Sequence, residues 1–151
     1  MKFISHRGNI SGPVPELENK PDYINQALNF GYEVEIDVWY VNSKFFLGHD
    51  SPKYEISLEF LKNKKLWCHL KNIEAFKQIS KLNDIHWFWH EEDKLAITSK
   101  GYVIGLVGYI VQDTIVIMPD IDEFFHKLKQ NITYLGVCSD EIAAIQQKIL
   151  K

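Results

Sequence analysis

Short apolar runs rich in β-branched and aromatic residues alternate along this chain with segments of helical period. The runs predict strands over Lys2–Ser5, Glu33–Trp39, Leu66–Leu70, Ile85–Trp89, Tyr102–Leu106, Thr114–Met118 and Thr133–Val137, with Phe45–Gly48 placed to pair back on the second as a hairpin. The helical segments are Pro21–Phe30, Ser57–Asn63, Ile73–Leu82, Ile121–Gln130 and Ser139–Leu150. Pro21 suits a first helical turn and Gly31 the stop after Phe30. Ser139-Asp140-Glu141 reads as an N-cap followed by early acids. Such alternation means a mainly parallel sheet covered by helices. No linker, repeat or low-complexity stretch divides the chain, so residues 1–151 read as one domain.

Composition narrows the class. Apolar and charged fractions of 46% and 25% are those of a globular protein. No apolar run reaches the ~18 residues of a membrane span. Met1-Lys2-Phe3-Ile4-Ser5-His6 runs straight into a strand with polar residues at its end, which predicts no signal peptide and a cytoplasmic protein. The formal charge of -3 argues against nucleic acid as a partner. Cys68 and Cys138 fit no zinc spacing; two buried thiols in a reducing compartment is the favoured reading, and a bridge between them the alternative.

The chemistry concentrates in three strings: Ser5-His6-Arg7-Gly8-Asn9, Val34-Glu35-Ile36-Asp37-Val38 and Gly48-His49-Asp50. Glu35 and Asp37 are two apart, so on a strand both point to one face while Val34, Ile36 and Val38 point to the other. Two acids side by side on a buried face repel, and a divalent cation removes the conflict. His69 and Lys71 share a face at the end of the third strand by the same alternation. His6 and Arg7 end the first strand, and His90 follows the fourth. One such residue could simply mark where a strand emerges into water. A whole set at corresponding ends points to a site, because parallel barrels carry their sites at the carboxyl ends of the strands.

Residue chemistry then suggests roles. Arg7 and Lys71 suit a phosphate, the one as a fork and the other as a point charge. His6 and His49 suit proton transfer near neutrality. Glu35, Asp37 and His69 suit a cation, with carboxylates favouring Mg²⁺ or Ca²⁺ and imidazole shifting preference towards Mn²⁺ or Zn²⁺; for His69 the alternative is a structural imidazole. Phe88-Trp89-His90-Glu91-Glu92-Asp93 could shape the pocket, add a ligand or form an exposed charged loop. Asp120 and Asp140 read as helix caps, or as contacts to a polar substrate. His86 and His126 stand outside any motif. Gly105-Leu106-Val107-Gly108 lacks the Lys-Ser/Thr of a phosphate loop.

As a set, His6-Arg7-Gly8, Glu18-Asn19, Glu35-Ile36-Asp37 and His49-Asp50 resemble the glycerophosphodiester phosphodiesterase family, in its order and with similar spacings over roughly the first third of the chain. His69 stands where that family's Glu-x-Lys has its Glu. The resemblance implies a (β/α)8 barrel. Such barrels run ~250 residues, so a short divergent member would be a reduced or distorted TIM-type barrel. It would have about seven to eight mainly parallel strands and some outer helices missing, and could close against a second copy as a homodimer. The resemblance further implies a metal-dependent phosphodiesterase using Mg²⁺, Ca²⁺ or Mn²⁺ on a small glycerophosphodiester-like substrate. His6 would be the base, His49 the acid, and Glu18 and Asn19 supports that orient Arg7. Two other readings stay open: a non-catalytic phosphate-binding or regulatory module, and a phosphodiesterase for cyclic or sugar-linked diesters.

Overall fold

The longest strand organises the molecule. In the computed structural model, which describes residues 1–105, 109 and 111–151, β1 (Lys2–His6) is followed by α1 (Pro21–Asn29) and the nine-residue β2 (Glu33–Val41). A hairpin and its extension come next, β3 (Lys44–Leu47) and β4 (Tyr54–Ile56), then the short α2 (Leu58–Leu61), β5 (Leu66–Leu70) and α3 (Ile73–Ile79). The second half holds β6 (Trp87–Phe88), β7 (Leu95–Ile97), β8 (Val103–Gly105), β9 (Ile115–Ile117), α4 (Ile121–Lys129), β10 (Gly136–Ser139) and α5 (Ile142–Leu150).

These strands form one curled mixed sheet and not a regular barrel of mainly parallel strands, which corrects the expected TIM-type architecture. Parallel pairing joins β1 to β10 and β2, β2 to β5, β5 to β6, and β9 to β10 and β8. The β2–β3–β4 and β7–β8 pairings are antiparallel. The cause lies in the connections. A parallel crossover needs about a dozen residues, usually a helix. The 98–102 turn is too short for that, so β7 and β8 can only fold against each other as a hairpin. One antiparallel bridge, Phe88 to Thr98, links the β6 end of the curl to the β7 end. The strand expected over Tyr102–Leu106 is seen as β8, and its last residue Leu106 lies outside the described residues, as do Val107, Gly108 and Ile110 of the loop after it.

Alternation sorts the side chains. Val34, Ile36 and Val38 pack outward with Leu66, Cys68 and Leu70 against Ile24 and Ala27 of α1 and Ala75 and Ile79 of α3. A second outer core joins Val116 and Val137 to Phe124 and Phe125 of α4 and Ile142 and Ile145 of α5. Inside the curl, Ile4, Trp67, Phe88, Ile104, Ile115 and Ile117 fill the space beneath the carboxyl ends of the strands. Local signals hold the helices in place: Pro21 opens α1, Asn72 caps α3 by accepting from Ala75 N, and Asp120 caps α4 by accepting from Glu123 N. Ser139 does not cap the last helix. It ends β10 in register with Ser5, and α5 begins at Ile142. Cys68 and Cys138 are both buried free thiols. Among the described residues no helix is long and apolar enough to cross a membrane.

Candidate metal centre and active site

Three adjacent parallel strands assemble the site. Register sets His6 beside Glu35 across β1 and β2, and Asp37 beside His69 across β2 and β5. His69 Nδ1 lies 3.2 Å from Asp37 Oδ1 and 3.8 Å from Glu35 Oε1. One donor atom each from Glu35, Asp37 and His69 fall within 4.8 Å of one another, and all three residues are buried. Glu35 Oε2 and Asp37 Oδ1 are buried oxygens without a hydrogen bond. A buried carboxylate oxygen without a partner is costly. One carboxylate oxygen each from Glu35 and Asp37 and an imidazole nitrogen of His69 form a donor set that could hold a divalent cation.

The surroundings fix this trio. Asn19 grips Asp37 twice, its Nδ2 donating to Oδ2 at 2.9 Å and its Oδ1 accepting from the Asp37 backbone N–H at 2.9 Å. Arg7 Nε stands 3.0 Å from Asp37 Oδ2, and Lys71 Nζ 3.5 Å from Oδ1. Glu18 takes Arg7 Nη1 at 3.2 Å, so the Glu18-Asn19 pair supports Arg7 and Asp37 together. Arg7 itself sits at φ 55, and Gly8 follows at φ 96, where a Cβ would come within 2.6 Å of Tyr23 Cδ1. This left-handed corner turns the guanidinium back over the strand ends, and Gly8 is the residue that allows it. The His69 ring lies nearly parallel to those of Phe88 and His90, with ring centroids 4.9 and 4.4 Å away, and its Nδ1 faces the acids.

His6 reaches the same place from the other side. Its Nε2 stands 3.9 Å from Glu35 Oε2, and its Nδ1 is 2.8 Å from Asp140 Oδ1. Asn9 Nδ2 donates to that same Asp140 oxygen at 2.7 Å and to Glu18 Oε1 at 2.9 Å. The Asp140 contact therefore fixes which imidazole nitrogen is left for chemistry. His49 comes from the β3–β4 loop, exposed and 2.7 Å from Asp50 Oδ1. The loop is held by Trp39 Nε1 donating to Gly48 O at 2.6 Å.

Charge follows from this packing. Burial alone would push the Asp37 carboxyl up, but His69, Arg7 and Lys71 together hold it well below the usual range. Glu35 goes the other way: burial and the nearby Asp37 raise it despite His6 and His69. Burial opposes the charged form of His6, yet the Asp140 bond and Glu35 raise its pKa overall. Burial lowers His90.

A cavity of about 770 Å³ opens over this floor. His6, Arg7, Glu35, His49, His69 and Lys71 line it, while Asp37 lies just beneath and Glu18 and Asn19 stand behind. All nine residues singled out in the sequence thus converge on one place. Asp140, which the sequence offers as a helix cap or a substrate contact, is instead the partner of His6 and Asn9, a pairing the sequence does not disclose. The signal for Asp140 was its position just after a strand, the same position Arg7 holds after β1. His90 meets the site by stacking on His69, and the acidic run Glu91–Asp93 forms part of the cavity wall. Comparison of the chain with protein-family models and curated proteins, and of its structure with solved structures, finds no match.

Proposed function

We propose that this protein is a metal-dependent phosphodiesterase of the glycerophosphodiester phosphodiesterase kind, acting on a small glycerophosphodiester-like substrate. The observation that carries this reading is the floor of the large cavity: the buried carboxylates of Glu35 and Asp37 and the imidazole of His69, with donor atoms within 4.8 Å of one another, ringed by Arg7, Lys71 and two further histidines. Glu35, Asp37 and His69 would hold the ion, with Mg²⁺, Ca²⁺ and Mn²⁺ as the candidates; such an ion neutralises and polarises a phosphoryl oxygen. Arg7 spends Nε on Asp37 and Nη1 on Glu18 and keeps donors for a second phosphoryl oxygen. Lys71 adds a point charge to the build-up in the transition state. His6, with Nδ1 on Asp140, offers Nε2 to take the proton of the nucleophile, which is water or a neighbouring substrate hydroxyl. His49, exposed at the cavity wall, protonates the leaving alkoxide.

One observation favours a second reading, a non-catalytic phosphate-binding module. Arg7 and Lys71 already flank Asp37, so its charge is balanced without an ion. Turnover separates the two. A panel of glycerophosphodiesters, a cyclic diester and a sugar-linked diester is incubated with each cation and then with chelator. The phosphodiesterase reading expects cleavage of at least one diester that stops on chelation and in His6→Ala. Phosphate binding without cleavage of any panel member would leave the module.

A further inference from the structure

The strands also converge at their amino-terminal ends, far from the site just described. There a second cavity, of about 520 Å³, opens around the first residues of β1 and β2. Its wall is aromatic: His86 packs on Trp67 with ring centroids 4.2 Å apart, and Tyr102 lies 5.2 Å from Trp67. Its rim is cationic, with Lys2, Lys62, Lys64 and Lys100 against the acids Glu33 and Asp84.

The charges do not cancel. Glu33 accepts from Lys2 Nζ at 2.6 Å and, through its other oxygen, from Trp67 Nε1 at 2.6 Å. Asp84 faces Lys62 at 3.6 Å. Lys64 and Lys100 have no carboxylate partner among the described residues; Lys100 Nζ donates to the Asn83 carbonyl oxygen, which carries no formal charge, so two positive charges stand on the rim without a counter-charge. Behind them His86 is only 8% exposed, and its Nε2 has no hydrogen-bond partner. A buried polar nitrogen without a partner needs an explanation, and here it belongs to a residue that lines a cavity.

We propose that this cavity is a second ligand site, taking a small phosphate monoester. Two uncompensated lysines match the double negative charge that a monoester carries near neutral pH, whereas a diester carries one. A bare inorganic ion would leave most of the volume empty. A hydroxyl-bearing organic remainder fills it against Tyr102 and His86. The site stands on its own residues and does not depend on the reading of the larger cavity, although hydrolysis of a diester releases a compound of this class.

Tryptophan positions provide the test, since Trp67 lies at this cavity and Trp89 at the other. The full chain is titrated with glycerol 3-phosphate while the indole N–H resonances are followed by NMR, Trp67→Phe assigning the first of them. The Trp67 resonance should shift and saturate. In K64A/K100A, which changes only exposed residues, its midpoint should rise by about tenfold or more, with the Trp89 response unchanged. A Trp67 resonance that never moves, or moves identically in K64A/K100A, overturns the site. Inorganic phosphate saturating it as tightly as glycerol 3-phosphate overturns the assignment to an organic monoester.

Discussion

His69 Nδ1 and Asp37 Oδ1 stand 3.2 Å apart because β2 and β5 run parallel with these two residues as direct register partners. The contact is a property of the sheet, so a substitution at either position changes the ligand set without moving the backbone that presents it.

Metal preference should therefore follow residue 69. His69→Ala should weaken Mn²⁺ binding by at least about tenfold, the scale on which even outer-shell changes act. His69→Glu should shift preference towards Mg²⁺ and Ca²⁺ by replacing imidazole with a carboxylate. Calorimetric titration of the wild type and both variants with Mg²⁺ and Mn²⁺ checks this, and identical preference in all three would exclude coordination by His69.

The two acids should respond in opposite directions. Glu35 is held against burial and against Asp37, so Glu35→Gln should leave the metal-free unfolding temperature unchanged or higher while abolishing its rise on adding Mn²⁺. Asp37→Ala strands Arg7 and Lys71 and should cost about 3–5 kcal/mol, as breaking a buried pair does. Thermal denaturation with and without Mn²⁺ reads both effects; parallel destabilisation by the two variants would refute the charge assignment.

Proton transfer gives the third expectation. His6→Ala and His49→Ala should each lower kcat by ~10²-fold or more. Asp140→Ala acts through His6. It removes a contact that raises the His6 pKa, so that pKa falls. A base works in its neutral form, and the acid limb of the kcat/KM profile should move to lower pH. A limb that stays in place in Asp140→Ala would mean that His6 is not the base.

At the other end of the sheet, His86 should make stability pH-dependent. Burial lowers its pKa from 6.5 to about 4 in the folded chain. Between those values the unfolded chain binds a proton that the folded chain refuses, so stability is full above 6.5 and falls as pH drops towards 4. His86→Phe keeps the packing on Trp67 and should flatten that decline. The urea midpoint of the variant should rise relative to that of the wild type as pH falls across this window; a constant difference would contradict the burial of a neutral imidazole.

Much of the site was legible because alternation is a local rule. Glu35 with Asp37, and His69 with Lys71, could be placed on shared faces from spacing alone, and β5 occurs over the same residues the sequence indicates. Strand direction is not local. Leu95-Ala96-Ile97 is too short to announce itself, and nothing in it says that it pairs antiparallel with β8. The tenth strand shows the same limit. The β-branched stretch from Thr133 predicts a start there, but pairing with β1 begins at Gly136, where a Cβ would come within 2.8 Å of Lys2. That approach carries the strand on to Ser139 and delivers Asp140 to His6, a contact no helix-cap pattern would disclose.

His6 and Asp140 are 134 positions apart in sequence, joined because β10 zips onto β1. The carboxylate–imidazole trio is complete by residue 69, whereas the partner of His6 follows only after β10. During folding the trio can form before the His6–Asp140 pair, and the slow closure of a long-range strand pair separates them. A freshly made chain would thus present Glu35, Asp37 and His69 together before Asp140 reaches His6, and that contact would time the moment when β1 and β10 join.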